Sequence, residues 1–125
     1  MAPGSGLRFL LLGALIAALA ACSSGSSATS LPIPSGAVVV RVVNAVFQPA
    51  AVTAPSNQGF TLYFDNADSA PHNIAFLGAD GNPAFKGDIF SGVAQKVYQV
   101  PALASGTYKL HCDVHPEMSG TLTVP

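Results

Sequence analysis

Residues Gly106–Gly120 read GTYKLHCDVHPEMSG, and within them Cys112, His115 and Met118 follow one another at intervals of three. The first half of the stretch alternates. Tyr108, Leu110 and Cys112 fall on one face of an extended chain, and Thr107, Lys109 and His111 on the other. A strand over Thr107–Cys112 is therefore predicted, with Cys112 at the core end and His111 turned outward beside it, away from whatever Cys112 holds. The second half cannot run straight. Three donor side chains from one short segment meet at a point only if the backbone curls, and Pro116 and Gly120 suit that curl, the first by restricting His115 and the second by tolerating unusual backbone angles.

A thiolate, an imidazole and a thioether form an unusual donor set. Soft sulfur suits Cu(I), imidazole suits copper in either oxidation state, and two histidines with a cysteine and a weak axial methionine form a blue-copper arrangement. The fourth donor is then a second histidine, His72, in the stretch APHNIAF (Ala70–Phe76), which the fold must bring back to the loop. Other readings of the same residues stand beside this one. Cys112 is a small buried hydrophobe in one of them. In another it is a nucleophile with a histidine base, which leaves Met118 without a role and no evident acid to orient the base. Zinc accepts Cys and His but seldom a thioether, and its further ligands here would be Asp113 or Glu117, of which strand direction sends Asp113 outward.

The Cys-x-x-His-x-x-Met run, with Pro116 after the histidine and a distant Pro71-His72-Asn73 preceded by Phe64-Asp65-Asn66, resembles the cupredoxins over roughly Val38–Val124. The short loop is most similar to the amicyanin type; the plastocyanin type shares a GTY-x-x-x-C run but has a longer gap from histidine to methionine. The resemblance implies a Greek-key β-sandwich holding one type 1 copper ion, with His72, Cys112 and His115 as equatorial ligands and Met118 as the weak axial donor. It implies that the Asn73 side chain bonds across to the copper loop and that its amide approaches the Cys112 sulfur. It also implies one-electron transfer to redox protein partners through the exposed edge of His115, flanked by Pro71 and Pro116, rather than enzymatic turnover. Glu117 stands where amicyanins carry an aromatic, and His111 where plastocyanins carry a tyrosine, so partner choice does not transfer from either.

The rest of the chain fits an all-β domain of about 90 residues. From Ala37 onward short runs rich in Val, Phe, Tyr and Thr alternate with Gly, Pro, Asn and Asp, and no helical apolar period persists. Strands are predicted over Val38–Val43, Phe60–Asp65, Asn73–Leu77, Lys96–Val100, Thr107–Cys112 and Thr121–Val124. A turn is predicted at Asp80–Pro83, and a short helical turn between Asn82 and Gly92 is left open. No repeat is present.

Charged residues make up 9% of the 125 and the net charge is −1, with the five Lys and Arg scattered, so no basic surface for nucleic acid exists. Residues 1–21 read as an export signal, with one positive charge at Arg8, an apolar run from Phe9 to Leu19 and small residues before Cys22. That run is shorter than the roughly 20 residues of a membrane span, although an uncleaved anchor is the other reading. Leu19-Ala20-Ala21-Cys22 resembles a bacterial lipobox, which implies cleavage before Cys22 and lipid attachment to it, so that the chain is tethered to the outer side of the cell membrane or in the periplasm. Residues 22–36, rich in Ser and Gly and ending in LPIPS, read as a tether, and 37–125 as the domain, expected to be a monomer. Two cysteines in an exported chain ordinarily suggest a disulfide; lipidation of Cys22 leaves Cys112 alone, and a bound metal then keeps its thiolate occupied. A copper carrier and a copper subunit of a larger oxidase complex are the alternatives to an electron shuttle.

Overall fold

In the computed structural model, Gly4 and residues 29–125 are described; the expected signal peptide, Cys22 and the first part of the tether lie outside them. Among the described residues, eleven strands follow in chain order. They are β1 (Val38–Val43), β2 (Val46–Gln48), β3 (Ala51–Thr53), β4 (Phe60–Asn66), β5 (Pro71–His72), β6 (Ala75–Leu77), β7 (Pro83–Lys86), β8 (Phe90–Ser91), β9 (Ala94–Val100), β10 (Gly106–His111) and β11 (Ser119–Val124). One sheet has the order β2-β1-β4-β9, a second β3-β11-β10-β6-β7, and β5 and β8 form a separate two-stranded ribbon. The expected all-β sandwich is present, and no helix occurs among the described residues.

Alternation explains the two central strands. Phe60, Leu62 and Phe64 of β4 are buried on the face that meets Leu110 of β10 and Leu122 of β11, and Val40, Val42, Phe47, Ile74 and Phe76 complete the core. Removing these side chains from water is the main favourable contribution to folding, on the order of 2 kcal/mol for each large one. Asn66 continues the same face of β4 at 0% exposure, and it is satisfied by donating from Nδ2 to the carbonyls of Ala70 (2.9 Å) and Phe90 (3.0 Å). This bond pair fastens the end of β4 to the β5–β8 ribbon, where His72 pairs with Phe90. The ribbon is thereby held over one end of the sandwich.

Several expectations are corrected. The strand predicted over Asn73–Leu77 is shorter, β6 beginning at Ala75, and the Asn73 side chain bonds elsewhere, as described below. The stretch in which a helical turn was left open holds β7 and β8, with β7 pairing antiparallel to β6. Gly120 does not turn the loop. It lies in β11 opposite Leu110, and a Cβ there would meet the Ala50 carbonyl at 2.6 Å, so glycine is required for close backbone approach rather than for its angles. The described part of the expected tether is in contact with the domain. The Tyr63 hydroxyl donates to the Leu31 carbonyl (2.9 Å) and the Leu31 N–H to Gln95 Oε1 (3.3 Å), which lays this segment across the outer face of the four-stranded sheet. Val39, Tyr63 and Val97, aligned by register, form the row beneath it.

Candidate metal centre

β10 and β11 form an antiparallel hairpin in which His111 pairs with Ser119, so residues 112–118 are its connecting loop. Cys112 is the first residue off the ladder and keeps the inward direction of Tyr108 and Leu110, with 0% exposure. The loop then closes on itself. The Met118 N–H donates to the His115 carbonyl at 3.0 Å, a β-turn with Pro116 at the second position, where the fixed φ of proline is favourable. This turn returns Met118 to the core, where it is 2% exposed, while His115 above it remains half-buried.

His72 arrives from the β5–β8 ribbon and is fully buried. Its Nδ1 lies 3.8 Å from Cys112 Sγ, and His115 Nδ1 lies 4.0 Å from the same sulfur. The two imidazole rings are 4.5 Å apart between centroids and inclined at 42°. Ligand atoms of all three residues fall within 4.8 Å of one another. Three soft or borderline donors converging at this spacing, with the buried thioether of Met118 in the same loop, fit a copper ion and suit no hard cation. Among the described residues Cys112 is a free thiol.

The loop is fixed from the side by Asn73, which is 0% exposed. Its Oδ1 accepts the Asp113 N–H (2.8 Å), and its Nδ2 donates to Asp113 Oδ2 (2.9 Å) and to the Gly87 carbonyl (3.1 Å). The expected bond from Asn73 to the loop is therefore present. Asp113 is not simply turned outward: its carboxylate also receives Lys86 Nζ at 2.8 Å, with His111 Nε2 at 3.5 Å from its other oxygen. His111 stays out of the donor cluster, as alternation requires, and its Nδ1 is buried without a partner.

The Lys86 hydrogen bond, and after it that from Asn73, hold the Asp113 carboxyl below its ordinary value against the opposing effect of burial. A carboxylate with a depressed folded-state pKa stabilises the fold above its unfolded value near 4, and that contribution is lost as pH falls through the folded value. The metal-free domain is accordingly expected to lose the Asp113 contribution to its stability as pH falls below about 4. In Asp113→Asn the acid slope should be shallower, as read by thermal unfolding at a series of pH values.

The cupredoxin-like domain family matches residues 11–124. The chain belongs to the cupredoxins. This cupredoxin is 32% identical to amicyanin of Paracoccus versutus over 93 residues, spanning 74% of this chain and 67% of that protein. It is 26% identical to amicyanin of Paracoccus denitrificans over 128 residues, with 94% and 95% covered. Among solved structures, a reduced tryptophan-to-tyrosine mutant of amicyanin superposes with a TM-score of 0.59 at 30% identity, covering 74% of this chain and 86% of that one. An oxidised proline-to-glycine mutant of amicyanin gives 0.60 at 26% identity, with 77% and 89% covered. The reduced Cu(I) form at pH 4 of another proline-to-glycine mutant gives 0.59 at 26% identity, covering 74% of this chain and 86% of that one.

One residue at the cupredoxin's centre was not legible beforehand. Asp68 faces the rear of the His72 ring, with Oδ2 at 3.0 Å from Nε2. An aspartate four residues before a histidine carries no signal in a loop, and only the folded chain shows the pair.

Proposed function

We propose that this chain is a type 1 copper protein that carries single electrons outside the cytoplasm, with His72, Cys112 and His115 as equatorial ligands and Met118 as the axial donor. The copper ion supplies the one-electron chemistry by alternating between Cu(II) and Cu(I). The observation that carries the reading is the approach of both imidazole Nδ1 atoms to a buried, unpaired cysteine sulfur.

The chain's own residues do the rest. The Asn73 bonds to Asp113 and the His115–Met118 turn restrain the loop through the protein's own hydrogen bonds, which limits rearrangement of the donors when charge changes. Cys112 and His72 are closed to water, and His115 alone of the three reaches the surface. Val114 and Pro116, on either side of it in the chain, and Pro71, next to His72, are exposed and apolar. Electrons are proposed to pass through that ring edge to a redox protein. Glu117, also exposed, puts a negative charge beside it, which favours a partner with a cationic rim and makes the encounter rate fall as salt increases.

A carrier that hands over copper itself needs accessible donors. Two of these three are buried, which favours retention of the metal. Export by residues 1–21 and lipid attachment at Cys22 complete the proposal. Because Leu31 is bonded to the sheet, residues 23–30 are what separates the lipid from the packed domain.

The test is to purify the chain from Ser23 onward, add Cu(II), and record visible and electron-spin spectra. An intense blue charge-transfer band with narrow copper hyperfine splitting is expected; a colourless, zinc-loaded or multi-copper product contradicts the reading. Met118→Leu should retain the colour and raise the reduction potential, measured by voltammetry, because loss of a donor disfavours Cu(II) more than Cu(I).

A further inference from the structure

The outer faces of the two sheets differ in chemistry. On the five-stranded sheet, Thr107 and Lys109 of β10 and Thr121 and Thr123 of β11 alternate with the buried Leu110 and Leu122 and so point outward. Hydroxyls and an ammonium keep that face hydrated. On the four-stranded sheet, register aligns Val39, Tyr63 and Val97 in one row and sets Val43 beside Val46 at its edge. The charged residues of this face, Arg41 and Asp65, form an ion pair at 2.9 Å, and Gln95 Nε2 donates to the same carboxylate at 2.9 Å. The face therefore brings no net charge to whatever it meets.

The segment laid across this face adds to its apolar character instead of hiding it. Leu31 is fixed by its backbone, through Gln95 and the Tyr63 hydroxyl, which leaves its side chain 45% exposed. Ile33, two residues further on, is 59% exposed, and Val97 and Val46 are exposed on the sheet itself. A single exposed aliphatic residue needs no explanation, whereas several gathered on one side mark a contact surface.

What covers that surface follows from where the segment leads. Residues 23–30 separate Leu31 from Cys22, the proposed point of lipid attachment. At about 3.5 Å per residue they span at most about 30 Å. A domain of about 90 residues is itself about 30 Å across. The lipid thus holds the face to which Leu31 is bonded near the bilayer and leaves the hydrated face a domain's thickness further out. Tethering also makes the contact intramolecular, so that side chains too few to draw a free domain out of solution suffice once the lipid is inserted. The exposed groups are aliphatic, while protein interfaces are enriched in aromatic rings, which favours a bilayer over a protein as the occupant.

We propose that the outer face of the four-stranded sheet, with Leu31 and Ile33 of the segment laid across it, is the side of the protein that rests on the lipid bilayer. The inference rests on the reading of Cys22 as lipidated. In this orientation the strands lie along the membrane plane. The copper loop, which joins β10 to β11 at their ends, is presented sideways, so that His115 meets a redox partner standing at the membrane surface.

The chain has no tryptophan, so one introduced residue reports alone. The full-length chain, processed by a lipidating host and loaded with Cu(I), is placed on phosphatidylcholine vesicles with or without bromine on the acyl chains. Bromine should quench the emission of Val97→Trp, with its maximum shifted to the blue, and leave that of Thr123→Trp, on the opposite face, unchanged. Val46→Trp should behave as Val97→Trp does, and serves if the latter does not fold. Adding Leu31→Asp and Ile33→Asp, which keep the backbone bonds of the segment, should remove the quenching at Val97→Trp. Equal quenching at both faces, or quenching that survives the two aspartates, overturns the proposal. Emission at Val97→Trp that responds to protein concentration and not to bromine assigns the face to a second copy of the chain and overturns it too. Mass spectrometry separates the two levels of the argument. A chain without lipid on Cys22 overturns the anchor and this inference together, whereas a lipidated, vesicle-bound chain with no difference between faces overturns this one alone.

Discussion

Cys112→Ser is expected to abolish the visible colour of the copper-loaded protein completely. The intense band of a blue centre arises from charge transfer between a thiolate and Cu(II), and a serine hydroxyl is neither ionised at neutral pH nor a soft donor. Cys112 is 0% exposed and serine is nearly isosteric with it, so serine fits the space, and the cost is that of burying a hydroxyl with few partners, about 1–3 kcal/mol. The folded variant should therefore show a native circular-dichroism spectrum and no blue band on addition of Cu(II). Persistence of the band would assign the colour to a different ligand set.

Asn73→Ala should produce the largest loss of stability of any single change at the centre that spares the ligands. The substitution removes three hydrogen bonds from a fully buried amide and leaves the Asp113 N–H and the Gly87 carbonyl without their partner. An orphaned buried group costs about 1–3 kcal/mol, and a total near 3 kcal/mol lowers the melting temperature of a domain of this size by roughly 10–20 °C. The metal-free protein is the one to measure by calorimetry, since bound metal adds its own stabilisation. Loop 112–118, released from Asp113, should also take up copper in more than one geometry, visible as broadened hyperfine lines.

The sequence made some parts of this molecule plain and concealed others for identifiable reasons. β4 and β10 are seven and six residues long, and period-two alternation marked them almost to their ends, while β1 was marked by its run of valines. β2, β3, β5, β7 and β8 have two to four residues, too few for a period to register. The β1–β2 hairpin was hidden for another reason: its turn is Asn-Ala, and the glycine that would have announced it is replaced by an alanine held by Asp68. At the centre, Cys112, His115 and Met118 are legible because one loop carries them all. His72 came from the resemblance of its flanking residues, since forty positions separate it from Cys112. Asp68 came only from the fold.

The glycines show the same limit. Gly120 looked like a loop residue by composition, yet its role is to let the Ala50 carbonyl approach β11, where Thr121 N–H donates to it at 2.7 Å. Which backbone passes close to a glycine is a property of register across sheets, and no local pattern reports it.

The most direct measurement is a crystal structure of the copper-loaded protein with anomalous scattering collected at the copper edge. One strong peak is predicted, bonded to His72 Nδ1, His115 Nδ1 and Cys112 Sγ with the Met118 sulfur as a longer fourth contact. A peak that excludes His72, or a Cys112 sulfur bonded to another cysteine with no copper beside it, would contradict the central claim.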